Sequence, residues 1–296
     1  MAVTGERAVS TLVDAAAFLL LVSAAVATLA APAVAPERVP TADASAERLS
    51  TVTANPRYSL APGARRANGS LVAFEHTEGP EFDRVAHGSV ASLLADAAVG
   101  NATVAGRELT HTGDGFERSV RAAARDATTR RVRVRAIWTP YPGAPVRGLV
   151  AAGPRPPPDA RVGVTTLAVD SGAPTARERA RSAARSDGYE GIARVVARAT
   201  VRGLFPPEEL ALALRADYPV SALARYRYRR AGRLLGAEVR APVRDTEPGR
   251  ANERLSRALA PLIERDLRTR FETPRAAAGA VRTGEVRIVV RRWADD

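Results

Sequence analysis

The residues best suited to acid–base or metal chemistry in this sequence are three histidines, His76, His87 and His111. None stands in HxxxH spacing or at fixed intervals from acids that a metal site would use. They read as surface or loop residues, and no catalytic or metal-ligating residue is nominated. The sequence holds no GxSxG, Walker A or GxGxxG pattern. Cysteine is absent, which excludes disulfides, thiolate zinc sites, a Cys nucleophile and lipid attachment through Cys. Asp114-Gly115 has the composition of a cation-binding loop, but a turn leading into a capped helix explains it more simply. No cofactor is implied. An exported hydrolase would require two or more of the histidines to converge on acids.

Arginine is the repeated oddity. All 44 basic residues are arginine, against 32 acids, for a net charge of +12. The excess is uneven: residues 173–296 carry 26 Arg and 16 acids, residues 1–172 carry 18 Arg and 16 acids. A basic C-terminal half attracts anionic lipid, acidic protein or polyanions. Arginines recur every fourth residue at Arg177/Arg181/Arg185, Arg194/Arg198/Arg202 and Arg225/Arg229/Arg233, so each set lines one helix face. Such a stripe is either the solvated back of an amphipathic helix or an anion-binding surface. Arg194, Arg198 and Arg202 are the nominated anion-binding residues. Tyr226-Arg227-Tyr228-Arg229-Arg230 interleaves aromatics with Arg as nucleic-acid binders do, but no nucleic-acid partner is expected for an exported chain.

The elements that carry these residues follow from periodicity. Apolar spacing predicts a helix over residues 83–99, with Gly88 as its weak point, and a short strand over 104–109. Asp114-Gly115-Phe116-Glu117 has the form of a capping box opening a helix through Val120 and Ala124. Over 131–138, Val132, Val134, Ala136 and Trp138 alternate with Arg131, Arg133 and Arg135, a half-buried strand with one wet face. Residues 146–151 and 162–169 read as two further strands, joined by the stiff loop GPRPPPDA at 153–160. A second capping box, Thr175-Ala176-Arg177-Glu178, opens a mostly helical stretch to Phe271. Its clearest helix is 248–271, with Leu255, Leu259, Leu262, Ile263 and Leu267 on one stripe and Pro261 predicting a kink or break. Val286, Ile288 and Val290 then alternate with Arg287, Val289 and Arg291. This pattern matches 131–138 and places the two strands in one antiparallel sheet.

The N-terminus carries a different signal. From Thr11 to Ala31 the only ionisable side chain is Asp14. These 21 residues would form about 31 Å of helix, enough for a bilayer core, and Pro32 and Pro36 stop it. One reading is a secretory signal cut after Ala33-Val34-Ala35. Another is a single-span anchor with a short basic cytoplasmic flank at residues 1–8 and the rest outside. The sequons Asn68-Gly69-Ser70 and Asn101-Ala102-Thr103 fit exposure outside and nominate Asn68 and Asn101 for glycosylation.

Arg7-Ala8 followed by Val9-Ser10-Thr11-Leu12-Val13-Asp14 resembles the N-terminus of archaeal type IV pilin-like proteins. That resemblance implies leader processing at Arg7, Ala8 and Val9, with the cut between Ala8 and Val9, and a helix-assembly role for Asp14. A carboxylate at the head of an apolar helix is costly in lipid unless paired, and the new amine of a neighbouring subunit would pair it. The layout is also similar to that of uncharacterised haloarchaeal single-span membrane proteins associated with pilus or secretion machinery.

The sequence therefore predicts an α+β protein with one N-terminal transmembrane helix, then an exported region with an antiparallel sheet and a largely helical, Arg-rich C-terminal half. The expected divisions are a leader at 1–8, a transmembrane helix at 9–31, a Pro/Ala-rich stalk at 32–72 and an exported region at 73–296, with a sub-boundary near 172. The expected function is a non-enzymatic structural or accessory component of a pilus-like or secretion-like assembly. Its expected partners are the lipid bilayer and other membrane or pilus-like subunits. The alternative is an exported module binding an anionic ligand, lipid or polymer through the Arg-rich helices.

Overall fold

The computed structural model describes residues 41–294. They belong to one compact unit, Pro40–Asp296. The expected α+β class is what the unit shows. Its centre is a six-stranded antiparallel sheet formed by β5 (Ala102–Val104), β6 (Arg107–Glu108), β7 (Val132–Trp138), β8 (Val146–Ala152), β9 (Val162–Asp170) and β10 (Glu285–Trp293). The spatial order is β6-β5-β8-β7-β10-β9. The C-terminal strand thus inserts between β7 and β9; the matching alternation predicts that it shares one antiparallel sheet with 131–138, though not its place in the order. Register places Val286 opposite Trp138, Ile288 opposite Ala136 and Val290 opposite Val134. All six side chains are buried on one face.

That face is covered by α3 (Val90–Gly100), flanked by α1 (Asp43–Thr51) and α4 (Asp114–Asp126). The approach is close: a Cβ at Gly148 of β8 would lie 1.7 Å from the Ala98 carbonyl oxygen. Glycine is required there for the helix backbone to reach the sheet. Ala46 and Leu49 of α1 are buried in this core, and Asp43 accepts a hydrogen bond of 2.6 Å from Thr165 on β9. Residues 41–72, expected to be stalk, are therefore part of the folded unit. After α1 come β1 (Thr53–Ala54), β2 (Arg57–Ser59) and α2 (Ala61–Ala67). Pro62-Gly63, which resembles a turn, lies inside α2, where proline at the first helical turn gives up no helical bond.

Several local expectations are corrected. The helix expected over 83–99 starts only at Val90. Residues before it form β3 (Asp83–Val85) and β4 (Gly88–Ser89), and the Ser89 hydroxyl accepts the Ser92 amide at 3.1 Å as N-cap. Neither expected capping box forms. The N-caps are Gly113 and Ala176, without side-chain cap bonds, and the Asp114 carboxylate is taken instead by Arg66 and His111. The strand over 104–109 is a hairpin, because Ala105 and Gly106 both adopt positive φ (49° and 77°).

The C-terminal half consists of α5 (Arg177–Ser186), α6 (Gly188–Leu204), α7 (Pro207–Arg215), α8 (Val220–Leu235), α9 (Arg240–Arg244), α10 (Pro248–Arg270) and α11 (Pro274–Gly279). Helix α10 lies along α6 and buries Leu255, Leu259, Ile263 and Leu267. It runs through Pro261 without a break. Pro261 and Arg257 are exposed, so the carbonyl that proline leaves without a donor lies on the solvent side of the helix. The halves are sewn together where β7 meets β10. The Trp138 indole donates to Thr283 O at 2.9 Å, the Arg282 amide to Pro140 O at 2.7 Å and the Ser171 hydroxyl to Thr283 O at 2.8 Å. One apolar core runs through both halves, so the sub-boundary expected near 172 does not exist.

No described helix is long and apolar enough to cross a membrane. The leader at 1–8 and the transmembrane helix expected at 9–31 lie outside the described residues.

Candidate anion-binding face of the sheet

The second face of the sheet carries arginine. Because side chains alternate along a strand, the residues opposite the core are Arg133, Arg135 and Ile137 on β7, and Arg287, Val289 and Arg291 on β10. The neighbouring strands add Arg147 and Leu149 of β8 and Val164 and Thr166 of β9. The helices α1, α3 and α4 occupy the other face, and Leu149 and Val164 remain 41% and 56% exposed. Register sets Arg291 directly across from Arg133, and Val289 across from Arg135. Like charges in directly opposed positions destabilise a sheet. The carboxylates of this face sit at its margins: Glu285 and Asp170 face each other at one end, and Glu108 on the edge strand is bound by His111 at 3.0 Å.

Among the described residues no carboxylate pairs with Arg133, Arg135, Arg287 or Arg291. The Arg133 guanidinium donates to Gly153 O at 2.8 Å, and Arg291 Nε is buried with no partner among the described residues. Desolvation, and then the charges of Arg155, Arg135, Arg291 and Arg121, hold Arg133 below the ordinary arginine range, although arginine stays cationic in water at neutral pH. Arg155 stands on the 153–160 loop, whose consecutive prolines keep the chain extended. The arrangement is a set of planar donor forks on one face of the sheet. Their geometry matches carboxylate or phosphate oxygens, and their apolar stems lie beside Ile137 and Val289.

The nominated helical stripe is differently placed. Arg194 is paired with Glu190 and, at 3.3 Å, with Asp187, and Arg202 is paired with Glu208 at 3.2 Å. Arg198 between them is exposed. Two of the three charges are thus offset by the chain's own acids. The third stripe is structural: Arg225 donates to Leu214 O at 3.4 Å and Arg229 to Leu71 O at 2.8 Å. Arg227 likewise donates to Leu204 O at 3.0 Å. Leu204 and Leu214 lie at the C-terminal ends of α6 and α7, where carbonyls lack helical donors and cations are favoured. Tyr226 and Tyr228 are buried, so Tyr226–Arg230 offers no stacking surface to a nucleic acid. Sequence reasoning places Arg287 and Arg291 on a strand but does not nominate them as binding residues. The signal that finds them is the shared alternation of two arginine-bearing strands once both are placed side by side.

The two sequons differ. Asn68 is exposed and uses its carbonyl oxygen to accept the Phe74 amide at 3.1 Å. The Asn101 side-chain nitrogen, where a glycan would attach, donates to Leu149 O at 3.1 Å, and Thr103 of the same sequon donates to Arg147 O at 3.2 Å. The histidines do not gather. His76 meets Glu81 and the Tyr218 ring, His87 meets Asn55, and His111 meets Glu108, Asp114 and Arg66. The described residues hold no group of His, Cys, Asp or Glu suited to a metal ion. Arg7, Ala8, Val9 and Asp14 lie outside the described residues.

No curated protein matches the chain, and neither does any solved structure. Residues 13–293 match a family of unknown function, DUF7284, and the chain belongs to that family.

Proposed function

We propose that the chain is a non-catalytic, membrane-tethered surface protein that binds an acidic partner through the arginine-bearing face of its sheet. In this reading the apolar run Thr11–Ala31 is the tether, residues 1–8 are cytoplasmic and the folded unit lies outside. The protein serves as an accessory component of a pilus-like or secretion-like assembly. The observation that carries the reading is the opposition of Arg133 and Arg291 on an open sheet face with no carboxylate between them among the described residues. A cluster of like charges is a cost to the free protein that binding an anionic surface removes. The family match from residue 13 onward takes in most of the apolar run together with the folded unit, which fits a tether that belongs to the protein. The alternative, binding through the Arg194/Arg198/Arg202 stripe, is disfavoured by the acids that hold its two ends.

Binding of the full chain, in neutral detergent, to poly-L-glutamate at increasing salt tests the site. The Arg133→Gln/Arg291→Gln double variant should bind at least tenfold more weakly and show a shallower salt dependence. The Arg194→Gln/Arg198→Gln/Arg202→Gln variant should bind nearly as the parent does. The reverse ranking would refute the assignment. Mass spectrometry of the mature N-terminus tests the tether. A start at Val9 supports pilin-like processing and an intact N-terminus a plain anchor, whereas a start at Pro36 excludes both.

A further inference from the structure

A separate cleft opens between the first part of the unit and the helical half. Its cavity volume is about 300 Å³, at the small end of the ~300–1,000 Å³ range of small-molecule sites. Tyr58 and Phe116 form one wall, with ring centroids 5.2 Å apart. Leu210 and Ala213 of α7 and Leu223 of α8 line the cleft from the helical half, and Arg227 lines it as well. Arg227 sits over the Phe205 ring, 5.5 Å from its centroid, and Phe205 in turn stacks on Tyr228. One end of the guanidinium is committed to Leu204 O, while Nε is buried with no partner among the described residues. A buried donor left unpaired is costly, and here it belongs to a cation lining a cavity that is apolar except for Thr112 and Glu209.

We infer that this cleft binds a small organic monoanion: one carboxylate on the free edge of Arg227 and an apolar, aryl-sized body between Tyr58, Phe116 and Leu223. Glu209 on the rim also acts on Arg227. Its negative charge disfavours dianions such as phosphate monoesters, so the site selects single charge as well as shape. The apolar walls contribute by area and the guanidinium by a charge-assisted bond formed away from water.

The test is isothermal titration of the full chain in neutral detergent with 4-phenylbutanoate, 4-phenylbutanol and phenyl phosphate. The carboxylate should bind saturably at one site, and the alcohol and the phosphate at least tenfold more weakly. Ala213→Trp, which fills the cleft from α7 and leaves Arg227 unsubstituted, should abolish carboxylate binding. Arg227→Met should remove the preference for acid over alcohol. If Arg227→Met does not fold, Ala213→Trp decides the matter alone. Equal binding of acid and alcohol, no saturable binding of the acid, or undiminished binding to Ala213→Trp each overturns the inference. None of these outcomes bears on the sheet face, which contains neither residue.

Discussion

Replacing Arg291 by Gln should stabilise the free protein at low salt and lose that advantage at high salt. Arg291 lies opposite Arg133, and directly opposed side chains on a sheet face place their charged ends about 6 Å apart. With an aqueous dielectric this pair costs about 0.7 kcal/mol, and Arg135 and Arg155 at roughly 10 Å raise the unscreened total to about 1.5 kcal/mol, of which roughly 1 kcal/mol survives screening at low salt. At 10 mM salt the Debye length is ~30 Å and most of this repulsion survives, whereas at 1 M it is ~3 Å and little does. The substitution also shortens an apolar stem over the sheet, a loss that salt does not change. The salt-dependent part is therefore the clean signal. At about 2–4 °C per kcal/mol for a unit of this size, Arg291→Gln should gain roughly 2–4 °C relative to the parent on going from 1 M to 10 mM salt. Thermal unfolding of the full chain in neutral detergent, followed by circular dichroism, reads it directly. Arg194→Gln is the control of opposite sign, because Arg194 is paired with Glu190 and Asp187 and its removal costs up to about 1 kcal/mol at low salt. If the two substitutions shift with salt in the same direction, or Arg291→Gln is indifferent to salt, the arginine face is not an uncompensated cluster and the binding proposal loses its basis.

Further outcomes follow from the packing. Gly148→Ala would drive a Cβ into the Ala98 carbonyl and should destabilise the unit by at least about 3 kcal/mol, seen in chemical denaturation. Tyr141 and Tyr228 are fully buried, and burial first of all pushes both hydroxyls above their ordinary value. Their stabilising contribution is intact below the unfolded value of about 10 and is lost as pH rises through the folded values. Alkaline titration followed by tyrosinate absorbance should show these two of the six tyrosines ionising only as the protein unfolds. In a glycosylating host, peptide mapping should find glycan on Asn68 and none on Asn101, since the Asn101 nitrogen is bound to Leu149 O.

The strands were the most legible part of the fold. Alternation in 131–138 and 286–291 leaves one face apolar, and a period of two admits no other element. The long stripe of α10 was legible for the same reason, but its continuity through Pro261 was not. Continuity depends on Arg257 facing water, and that is settled by which side α6 covers. The capping box at Asp114 fails because a local motif competes with distant partners, whereas nothing in the structure explains why the one at Thr175 does not form. Arg66, far away in sequence, takes the Asp114 carboxylate.

The charge excess, the alternating arginines and the apolar run near the start are properties of the sequence by itself, because composition and periodicity are local. Whether a given arginine is neutralised was local only where an acid sits one helical turn away, as Glu190 does for Arg194. The sheet face depended on chain order in space: β10 enters beside β7 and brings Arg291 against Arg133. Tertiary structure alone decided this, because strand neighbours are chosen by the core they bury together, and the charges on the far face are carried along.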